Sequence, residues 1–480
     1  MGQLHDLTAW EQGEAIRQGK LSPVELTEHY LERIGQLDEK VGAFVTVTPE
    51  LAREQAARAE RTATAARREG RELPPLHGVP VPVKDLNLVA GVRCTMGSAA
   101  LDDFVPAVDD HVVTRMREAG TVMLGKTNTP EFGAPPHTEN DVAPPARTPW
   151  DLSCSAGGSS GGAGAAVAAG LAPVAHGTDG GGSIRVPASV CGLFGLKPSR
   201  GRVSSGKVLY DVTGLTTSGP IGRTVADVAA LLDVLAGPEP GDPYTSPALP
   251  PGETFRGQVH REPGRLRVAL VTRPPVAGIE VHPDCRRAAE EAAVLLRELG
   301  HEVQPVALPD EPHMAEAFVQ VWEVMAAARP VPEEREDRLL PLTRMLRERG
   351  REVSGPDFAR ALYHMRVVTH LVADAVQRPG TGYDVILSPT LAQPPRPVGA
   401  LRDDTNPEAE FLKSVGFTPF TPLYNITGQP AVNVPLHWTG QGLPIGVQLA
   451  ARYGDEATLI SLSAQLEQAR PWAHRHPELW

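Results

Sequence analysis

Residues 157–198 read GGSSGGAGAAVAAGLAPVAHGTDGGGSIRVPASVCGLFGLKP. The stretch holds two glycine clusters, and each carries serine: Ser159 and Ser160 in the first cluster, Ser183 in the second. The alanine-rich run between them predicts a helix of small residues followed by a buried strand. Glycine at this density makes the backbone turn sharply or approach another group closely. A serine inside such a turn is therefore exposed and oriented in a way that a serine on a helix face is not.

Strands and helices alternate along most of the chain around this stretch. Buried strands are predicted from LRVALVT at 266–272, DVILSPT at 384–390 and PIGVQLAA at 444–451, with helices between them. This alternation predicts an α/β fold. We expect a single large domain over residues 1–480, with a central mixed, mostly parallel twisted sheet covered by helices on both faces.

Two segments bear on domain organisation. The run GPEPGDPYTSPALPPGE at 237–253 resembles a linker in composition, but strands and helices resume directly after it. We therefore interpret it as a long surface loop inside one fold. Residues 311–378 carry many Arg and Glu residues in a helical pattern, which predicts a peripheral helical cap over one end of the domain.

Charge and composition exclude some classes of partner. The formal net charge of −12 argues against a nucleic-acid or anionic membrane surface and favours a small-molecule or peptide partner. The chain has no apolar run of membrane-spanning length, and its first residues lack the pattern of a signal or transit peptide, so we expect a cytoplasmic protein. The sequence leaves open whether the protein forms a homodimer.

Four cysteines are scattered along the chain without a CxxC pair: Cys94, Cys154, Cys191 and Cys285. This pattern favours reduced, mostly buried thiols over a metal site or a disulfide framework.

Ser183 is the first candidate for chemistry. It follows three glycines in TDGGGSIR, so consecutive backbone N–H groups can point at one spot beside its hydroxyl. A tetrahedral oxyanion needs such an arrangement of donors. The alternative is a phosphate-binding nest or a plain tight turn. GGGS lacks the lysine of a P-loop, however, and GGAGAAV matches a dinucleotide fingerprint only loosely.

A serine nucleophile needs a base, and the sequence offers two schemes. The first is a Ser-His-Asp arrangement with His176 and Asp179, although a histidine in a buried strand is more often a core residue than a base. The second scheme uses Lys84 at the end of the strand VPVPVK. A lysine can serve as a base if burial lowers its pKa enough to keep it neutral.

Three segments, in this order, carry a resemblance: VKD at 83–85, GGSSGG at 157–162 and GTDGGGSIRVPAS at 177–189. Together they resemble the hallmark segments of the amidase signature family, and LGKTNTPEFG, LFGLKPSRGRV, YNITGQPAVNVPL and GLPIGVQL are similar to it too. The resemblance implies the amidase signature fold, with its catalytic core within residues 78–237. It also implies a Ser–cis-Ser–Lys triad in which Ser183 is the nucleophile, Ser159 the bridging serine and Lys84 the base.

The same resemblance implies roles for the neighbours of the triad. The oxyanion would bind to the N–H groups of the loop that ends at Ser183, which are those of Gly180, Gly181, Gly182 and Ser183 itself. Ser160 matches a serine that supports the site through hydrogen bonds. Asp179 and Arg185 match charged neighbours of the nucleophile loop, and we expect them to form a structural ion pair.

Asp85 follows the expected base directly in sequence. A carboxylate in contact with Lys84 would hold the lysine charged and weaken it as a base. We therefore expect Asp85 to point away from Lys84, towards backbone.

The implied activity is hydrolysis of a carboxylic amide of a small molecule through an acyl-enzyme, with no cofactor and no metal ion. Aryl or linear apolar amides are the expected substrates. Candidate pocket walls are Phe132, Trp322 and Tyr424, with Ile184 expected to lie in the core. The alternative is an amidotransferase subunit that supplies ammonia to a tRNA-dependent partner, but this chain has Val186 where that subunit typically has glutamine. A non-catalytic anion-binding loop is a third hypothesis.

Overall fold

The computed structural model describes residues 2–206, 211–309, 311–378, 380 and 382–480. Residues 207–210 of the expected catalytic core segment lie outside the described residues. The strands are β1 Phe44–Val47, β2 Val83–Lys84, β3 Gly125–Thr127, β4 Val174–Asp179, β5 Phe194–Lys197, β6 Thr217–Gly222, β7 Arg267–Leu270, β8 Glu302–Pro305, β9 Val385–Pro389, β10 Ala431–Trp438 and β11 Pro444–Ala451.

The α-helices follow the same chain order. They are α1 Ala9–Gln18, α2 Pro23–Val41, α3 Pro49–Glu69, α4 His111–Glu118, α5 Gly161–Ala168, α6 Arg185–Val190, α7 Val225–Leu235, α8 Pro283–Glu298, α9 Met314–Ala328, α10 Pro341–Glu352, α11 Gly355–Val376, α12 Pro407–Phe417, α13 Leu423–Ile426 and α14 Glu456–Ala469. Short 3₁₀ helices lie at Leu4–Asp6, Ala99–Leu101, Glu131–Gly133, Arg256–His260 and Glu333–Arg338.

Eight strands form one large mixed sheet in the order β4-β6-β5-β10-β11-β9-β7-β8, flanked by helices. The expectation of an α/β fold with a large mixed sheet is confirmed. β7 joins this sheet directly after the Pro- and Gly-rich run 237–253, so that run is a loop within the fold, as expected.

The expectation that the sheet is mostly parallel is wrong. Among the described strands, only β7 pairs in parallel with its neighbours, β8 and β9, whereas the other five pairings of this sheet are antiparallel. The reason lies in the order of the strands. β4 and β5 are joined through α6 and run in the same direction, but β6 inserts between them and is antiparallel to both. Alternation of strands and helices along a sequence cannot show such an insertion.

A second, three-stranded sheet in the order β1-β3-β2 lies beside β4. β2 runs parallel to β3, and β1 is antiparallel to β3. The backbone N–H of His176 on β4 donates to the carbonyl of Pro82, just before β2, at 3.2 Å. This contact brings the end of β2, which carries Lys84, next to the strand that leads to Ser183.

Helix α5 is the small-residue helix expected after the first glycine cluster, and every one of its residues is buried. It packs against β4 and α6. A Cβ atom at Gly162 would collide with the backbone of Asn128 and Ala43. The small side chains therefore let this helix lie directly against neighbouring backbone and fix the distance between the two glycine clusters.

Residues 311–378 form α9, α10 and α11, which pack on one another. A Cβ atom at Gly350 would collide with the carbonyl of Glu323, so α10 approaches α9 at close range there. The predicted helices are confirmed. Among the described residues, no helix combines the length and the apolar character needed to cross a membrane.

Candidate active site

Lys84 ends β2, and its side chain is fully buried. The Nζ atom lies 2.8 Å from Ser159 Oγ, and it donates to Thr178 Oγ1 at 2.9 Å and to the Thr178 carbonyl at 3.5 Å. Thr178 lies on β4, two residues after His176. No carboxylate within the described ranges forms an ion pair with this amino group.

The surroundings of Lys84 favour its neutral form. Burial lowers the pKa of Lys84 well below its ordinary value of 10.5 because the charged form loses its hydration. Asp179 acts in the opposite direction, and the positive charge of Arg329 adds to the lowering. A lysine of this kind can take a proton from a hydroxyl near neutral pH.

Asp85 points away from Lys84, as expected. Its Oδ1 accepts a hydrogen bond from Lys126 Nζ at 2.7 Å, and both side chains of this ion pair are fully buried. Its Oδ2 accepts from the backbone N–H of Thr95 at 2.9 Å and from the Thr95 hydroxyl at 2.7 Å. The carboxylate nearest in sequence to Lys84 is therefore fully engaged elsewhere.

The first glycine cluster presents Ser159 to Lys84. The Gly158–Ser159 peptide bond is cis, as the resemblance implies. Ser160 supports the site through hydrogen bonds, as expected: its hydroxyl donates to the Thr178 carbonyl at 3.1 Å and accepts from the Thr178 N–H at 3.2 Å. The Ser160 N–H donates to the Ser183 carbonyl at 3.1 Å, so the two glycine clusters are joined directly.

The second cluster folds around the carboxylate of Asp179. Its Oδ1 accepts from the Gly182 N–H at 2.7 Å, and its Oδ2 accepts from the Ile184 N–H at 3.1 Å. Gly182 has φ of +137°, and a Cβ atom there would collide with Thr421 Oγ1, so this position requires glycine. Asp179 already accepts the Gly182 N–H in the structure, so this N–H is not free for an oxyanion there.

Asp179 and Arg185 form the expected ion pair, and both side chains are fully buried. Arg185 donates to the carboxylate through Nε at 2.9 Å and through Nη2 at 2.8 Å. Burial acts to raise the pKa of Asp179, but the charge and hydrogen bonds of Arg185 outweigh it and lower the pKa below its usual range. The pair holds the loop that carries Ser183 from its buried side.

Sequence reasoning missed two residues that hold this loop from the far end of the chain. Asn425 Nδ2 donates to the Asp179 carbonyl and to Oδ1, both at 2.9 Å. Thr421 Oγ1 donates to the Gly181 carbonyl at 2.6 Å. The only signal for Asn425 was its place in the segment YNITGQPAVNVPL, and nothing in the sequence distinguished Thr421 or the lysine partner Thr178.

His176 does not join Asp179 or Ser183. Its ring is fully buried, and Nδ1 accepts from the backbone N–H of Lys84 at 3.4 Å. Burial lowers the pKa of His176 to about 3, so the ring stays neutral. Since Asp179 is paired with Arg185 instead, the geometry favours lysine over the Ser-His-Asp scheme.

Two cavities meet at Ser183. The first encloses about 130 Å³ and is lined mainly by apolar side chains, among them Val186, Val276, Phe318, Trp322, Phe411 and Leu423. The second encloses about 500 Å³ and is more polar; its lining includes Ser159, Thr178, Asp211, Thr216, Trp322 and Arg329.

The expected pocket walls divide into two groups. Trp322 lines both cavities and Phe132 lines the second. Tyr424 lines neither of them; it is buried in an apolar cluster with Leu423 and Ile426. Ile184 is fully buried in the main core, as expected.

The four cysteines are free and buried, as expected. Across the described parts of the chain, no three His, Cys, Asp or Glu side chains are grouped so that they could hold a metal ion.

Known proteins show the same fold and sequence pattern. The chain is 37% identical over 499 residues to a 6-aminohexanoate-cyclic-dimer hydrolase of Paenarthrobacter ureafaciens, covering 99% of this chain and 96% of that protein. It is 35% identical over 498 residues to a subunit of the glutamyl-tRNA(Gln) amidotransferase of Roseiflexus sp., covering 99% of both chains. A solved structure of 6-aminohexanoate cyclic dimer hydrolase superposes with a TM-score of 0.90 at 34% identity and covers 100% of both chains.

The model of the amidase family matches residues 25–460. With the fold and the relatives, this match defines the class: the protein is an enzyme that hydrolyses carboxylic amides. More particularly, the chain belongs to the amidase signature family.

Proposed function

We propose that the protein cleaves the C–N bond of a small-molecule amide through an acyl-enzyme on Ser183, with Ser159 and Lys84 as a proton relay. The observation that carries the proposal is the distance of 2.8 Å between Ser159 Oγ and a buried lysine whose pKa is lowered. Ser159 and Ser183 line the same cavity, which places both residues beside one binding space.

The surroundings of Lys84 can accommodate a neutral amine. A neutral amine has two N–H groups and one lone pair, whereas an ammonium group has three donors and no acceptor. The three oxygens around Nζ, which are Ser159 Oγ and the two oxygens of Thr178, would also suit an ammonium group, so the neutral form rests on the lowered pKa. In that form the two oxygens of Thr178 accept the two N–H groups, and the lone pair can accept the hydroxyl proton of Ser159, which is the direction that proton transfer requires.

The proposed reaction proceeds in two halves. Ser183 Oγ attacks the amide carbon while its proton passes to Ser159 and the proton of Ser159 passes to Lys84. The C–N bond then breaks as the amine nitrogen receives a proton from Ser159, and Lys84 returns its proton to Ser159. Water attacks the resulting ester by the same relay, which releases the acid and restores Ser183.

We assign oxyanion binding to the N–H groups of Gly180, Gly181 and Ser183. The Gly182 N–H is excluded because it donates to Asp179. Asp179 thereby fixes the orientation of the loop, which is what a preorganised oxyanion site requires.

The first cavity supports an aryl or linear apolar acyl group. Phe318 and Trp322 stack with their ring centroids 5.5 Å apart, and both line this cavity. Stacked aromatic walls favour flat or apolar ligands. Both residues lie on α9, which supports a role for residues 311–378 as a cap that completes the substrate pocket.

Ammonia supply to a partner is the second candidate function, and the similarity to the glutamyl-tRNA(Gln) amidotransferase favours it. The apolar lining of the first cavity supports an apolar acyl group instead of the polar side chain of glutamine. Hydrolysis of glutamine faster than of apolar amides would favour the second candidate.

The test is Ser183→Ala with an aryl amide such as hexananilide, the amide of hexanoic acid and aniline. We expect kcat to fall by about 10⁴-fold or more, because the bond-forming atom is lost. A fluorophosphonate probe should label Ser183 in the wild-type protein and nothing in the variant. The matched control is Ser153→Ala, since Ser153 is an exposed serine in a loop and should leave turnover unchanged. Turnover retained in Ser183→Ala would overturn the proposal.

A further inference from the structure

Arg329 places a positive charge in the second cavity. It follows α9 directly and lines the same cavity as Ser159 and Ser183. Its guanidinium lies 5.9 Å from the centroid of the Phe132 ring. Among the described residues, this guanidinium has no ion pair and donates no hydrogen bond to another side chain or to backbone.

The acidic residues of this cavity already have partners. Asp211 Oδ1 accepts from the Thr213 N–H at 2.8 Å, and its Oδ2 accepts from the Thr216 N–H at 2.8 Å. Asp110 Oδ2 accepts from the Leu88 N–H at 2.9 Å. Arg329 therefore lines the cavity as a cation whose donors remain available to a ligand, whereas Asp211 is held by its own loop and Asp110 by the backbone of Leu88.

The charge of Arg329 reaches the reacting groups. It contributes to the lowered pKa of Lys84, because a positive charge nearby disfavours the charged form of the lysine. Burial also lowers the pKa of Arg329 itself, while the charge of Asp211 acts in the opposite direction. An anion bound at Arg329 would restore part of the lost solvation, because a guanidinium pairs with a carboxylate through two parallel hydrogen bonds.

The proposed mechanism fixes which half of the substrate enters this cavity. The leaving amine must receive its proton from Ser159, so the amine half lies on the side of Ser159. Ser159 lines the second cavity and is not part of the lining of the first. The acyl half then lies in the apolar first cavity and the amine half lies beside Arg329.

We propose that Arg329 is a specificity-determining residue that binds a carboxylate on the amine half of the substrate, so that the preferred substrates are N-acyl amino carboxylates with an apolar acyl group. This inference rests on the proposed function, since the orientation depends on proton delivery from Ser159. Hydrolysis of such a substrate releases an apolar carboxylic acid and a free amino carboxylate.

The experiment compares matched amides. N-hexanoylglycine, N-hexanoyl-β-alanine and N-hexanoyl-γ-aminobutyrate carry the carboxylate on the amine half, and their neutral counterparts are the N-hexanoyl amides of the corresponding amino alcohols. We expect kcat/KM of the wild-type protein to be about tenfold or more higher for the anionic member of at least one pair. Arg329→Gln should abolish this ratio mainly through KM, and Arg329→Lys should retain part of it.

The readout is kcat/KM for the anionic substrate divided by kcat/KM for its neutral counterpart. Any effect of the variant on Lys84 changes both values equally and therefore cancels in this ratio. The matched control is Arg344→Gln, which removes the same charge from an exposed position on α10 and should leave the ratio unchanged. The monohexylamide of succinate carries its carboxylate on the acyl half and its apolar chain on the amine half. We expect the wild-type protein not to prefer this reversed amide over the neutral amides.

Two results would overturn the inference while the proposed function stands: the wild-type protein cleaves the neutral amides without preferring any anionic partner, or it prefers the reversed amide. An equal ratio in the wild-type protein and Arg329→Gln would also overturn it. If no amide is cleaved and the fluorophosphonate probe leaves Ser183 unlabelled, the proposed function itself fails.

Discussion

Two buried lysines lie side by side on the three-stranded sheet, and their pKa values are shifted in opposite directions. Lys84 on β2 lies opposite Thr127 of β3, and Lys126 on β3 lies opposite Val83 of β2. Both lysine side chains are fully buried. The pKa of Lys84 is lowered well below its ordinary value. Burial is the largest influence on the pKa of Lys126 and acts to lower it, but the charges and hydrogen bonds of Asp85 and Cys94 together outweigh burial, and the pKa is raised.

The partners of the two lysines account for the opposite shifts, because burial is common to both. Lys126 meets a carboxylate at 2.7 Å, whereas Lys84 meets only hydroxyl and carbonyl oxygens. Asp85 follows Lys84 directly in sequence, yet Thr95 and Lys126 hold its carboxylate on the far side of the strand. One strand end thus carries the proposed base of the site and the acid of a buried ion pair.

Lys84→Met removes the neutral lysine and should have the largest effect on activity. Methionine has a similar length and suits a buried site, so we expect the variant to fold. We expect kcat/KM for hexananilide to fall by about 10³–10⁴-fold, at the upper end of the range for general-base catalysis. Steady-state kinetics measure the loss, and thermal unfolding confirms that the variant is folded. A folded variant with near-normal activity would remove Lys84 from the relay.

Lys126→Met breaks the other lysine site, and its effect should be on stability. The substitution leaves the Asp85 carboxylate buried without its ion-pair partner, so we expect a loss of about 3–5 kcal/mol in the free energy of unfolding. Urea denaturation measures this loss. Adding Asp85→Asn to the Lys126→Met variant removes the unpaired charge and should restore part of the lost free energy of unfolding. If the double variant is no more stable than the single one, the pair is not the source of the effect.

The same pair predicts a dependence of stability on pH. Because folding raises the pKa of Lys126, its contribution is fully present below the ordinary lysine value of about 10.4 and is lost as pH rises through the raised pKa. The loss of stability at alkaline pH should therefore be smaller in Lys126→Met than in the wild-type protein.

Much of the candidate site could be predicted from short stretches of the sequence. The turns at the glycine clusters around Ser159 and Ser183 and the helix of small residues between them follow from residue type and short spacing, and the direction of Asp85 away from Lys84 was expected from the chemistry of a lysine base. They could be predicted because a glycine turn or a buried strand end depends mainly on neighbours in the chain.

Contacts between distant segments could not be predicted in this way. Asn425 and Thr421 reach the loop that carries Ser183 from about half the chain away, and Asp179 accepts the Gly182 N–H while Arg185 holds the same carboxylate. The prediction of a mostly parallel sheet was wrong for the same reason, since β6 inserts between two strands that are joined along the chain.

Thr178→Asp would convert the surroundings of Lys84 into those of Lys126. A carboxylate next to the ammonium group raises its pKa by about 1–3 units, so activity near neutral pH should fall by roughly 10²-fold. Because the neutral lysine is the active form, kcat/KM rises with pH through the pKa of Lys84, and the variant should recover activity at higher pH. The pH profile of kcat/KM measures this shift. Thr178→Asn is the neutral control, and it should leave the rise of kcat/KM with pH, the acid limb of the profile, where the wild-type protein has it. Equal profiles for the two variants would contradict the electrostatic explanation.

His176→Gln should have the smallest effect, and it separates the two proposed bases. The His176 ring is neutral because burial lowers its pKa to about 3, and it accepts one long hydrogen bond from the Lys84 backbone. Glutamine keeps an acceptor at this position, so the loss should be no more than about 1 kcal/mol, or roughly fivefold in kcat/KM. The acid limb of the pH profile should stay where the wild-type protein has it, since His176 does not titrate there. A loss as large as that of Lys84→Met would instead make histidine the base, and it would require His176 to exchange its contact with the Lys84 backbone for one with Ser183.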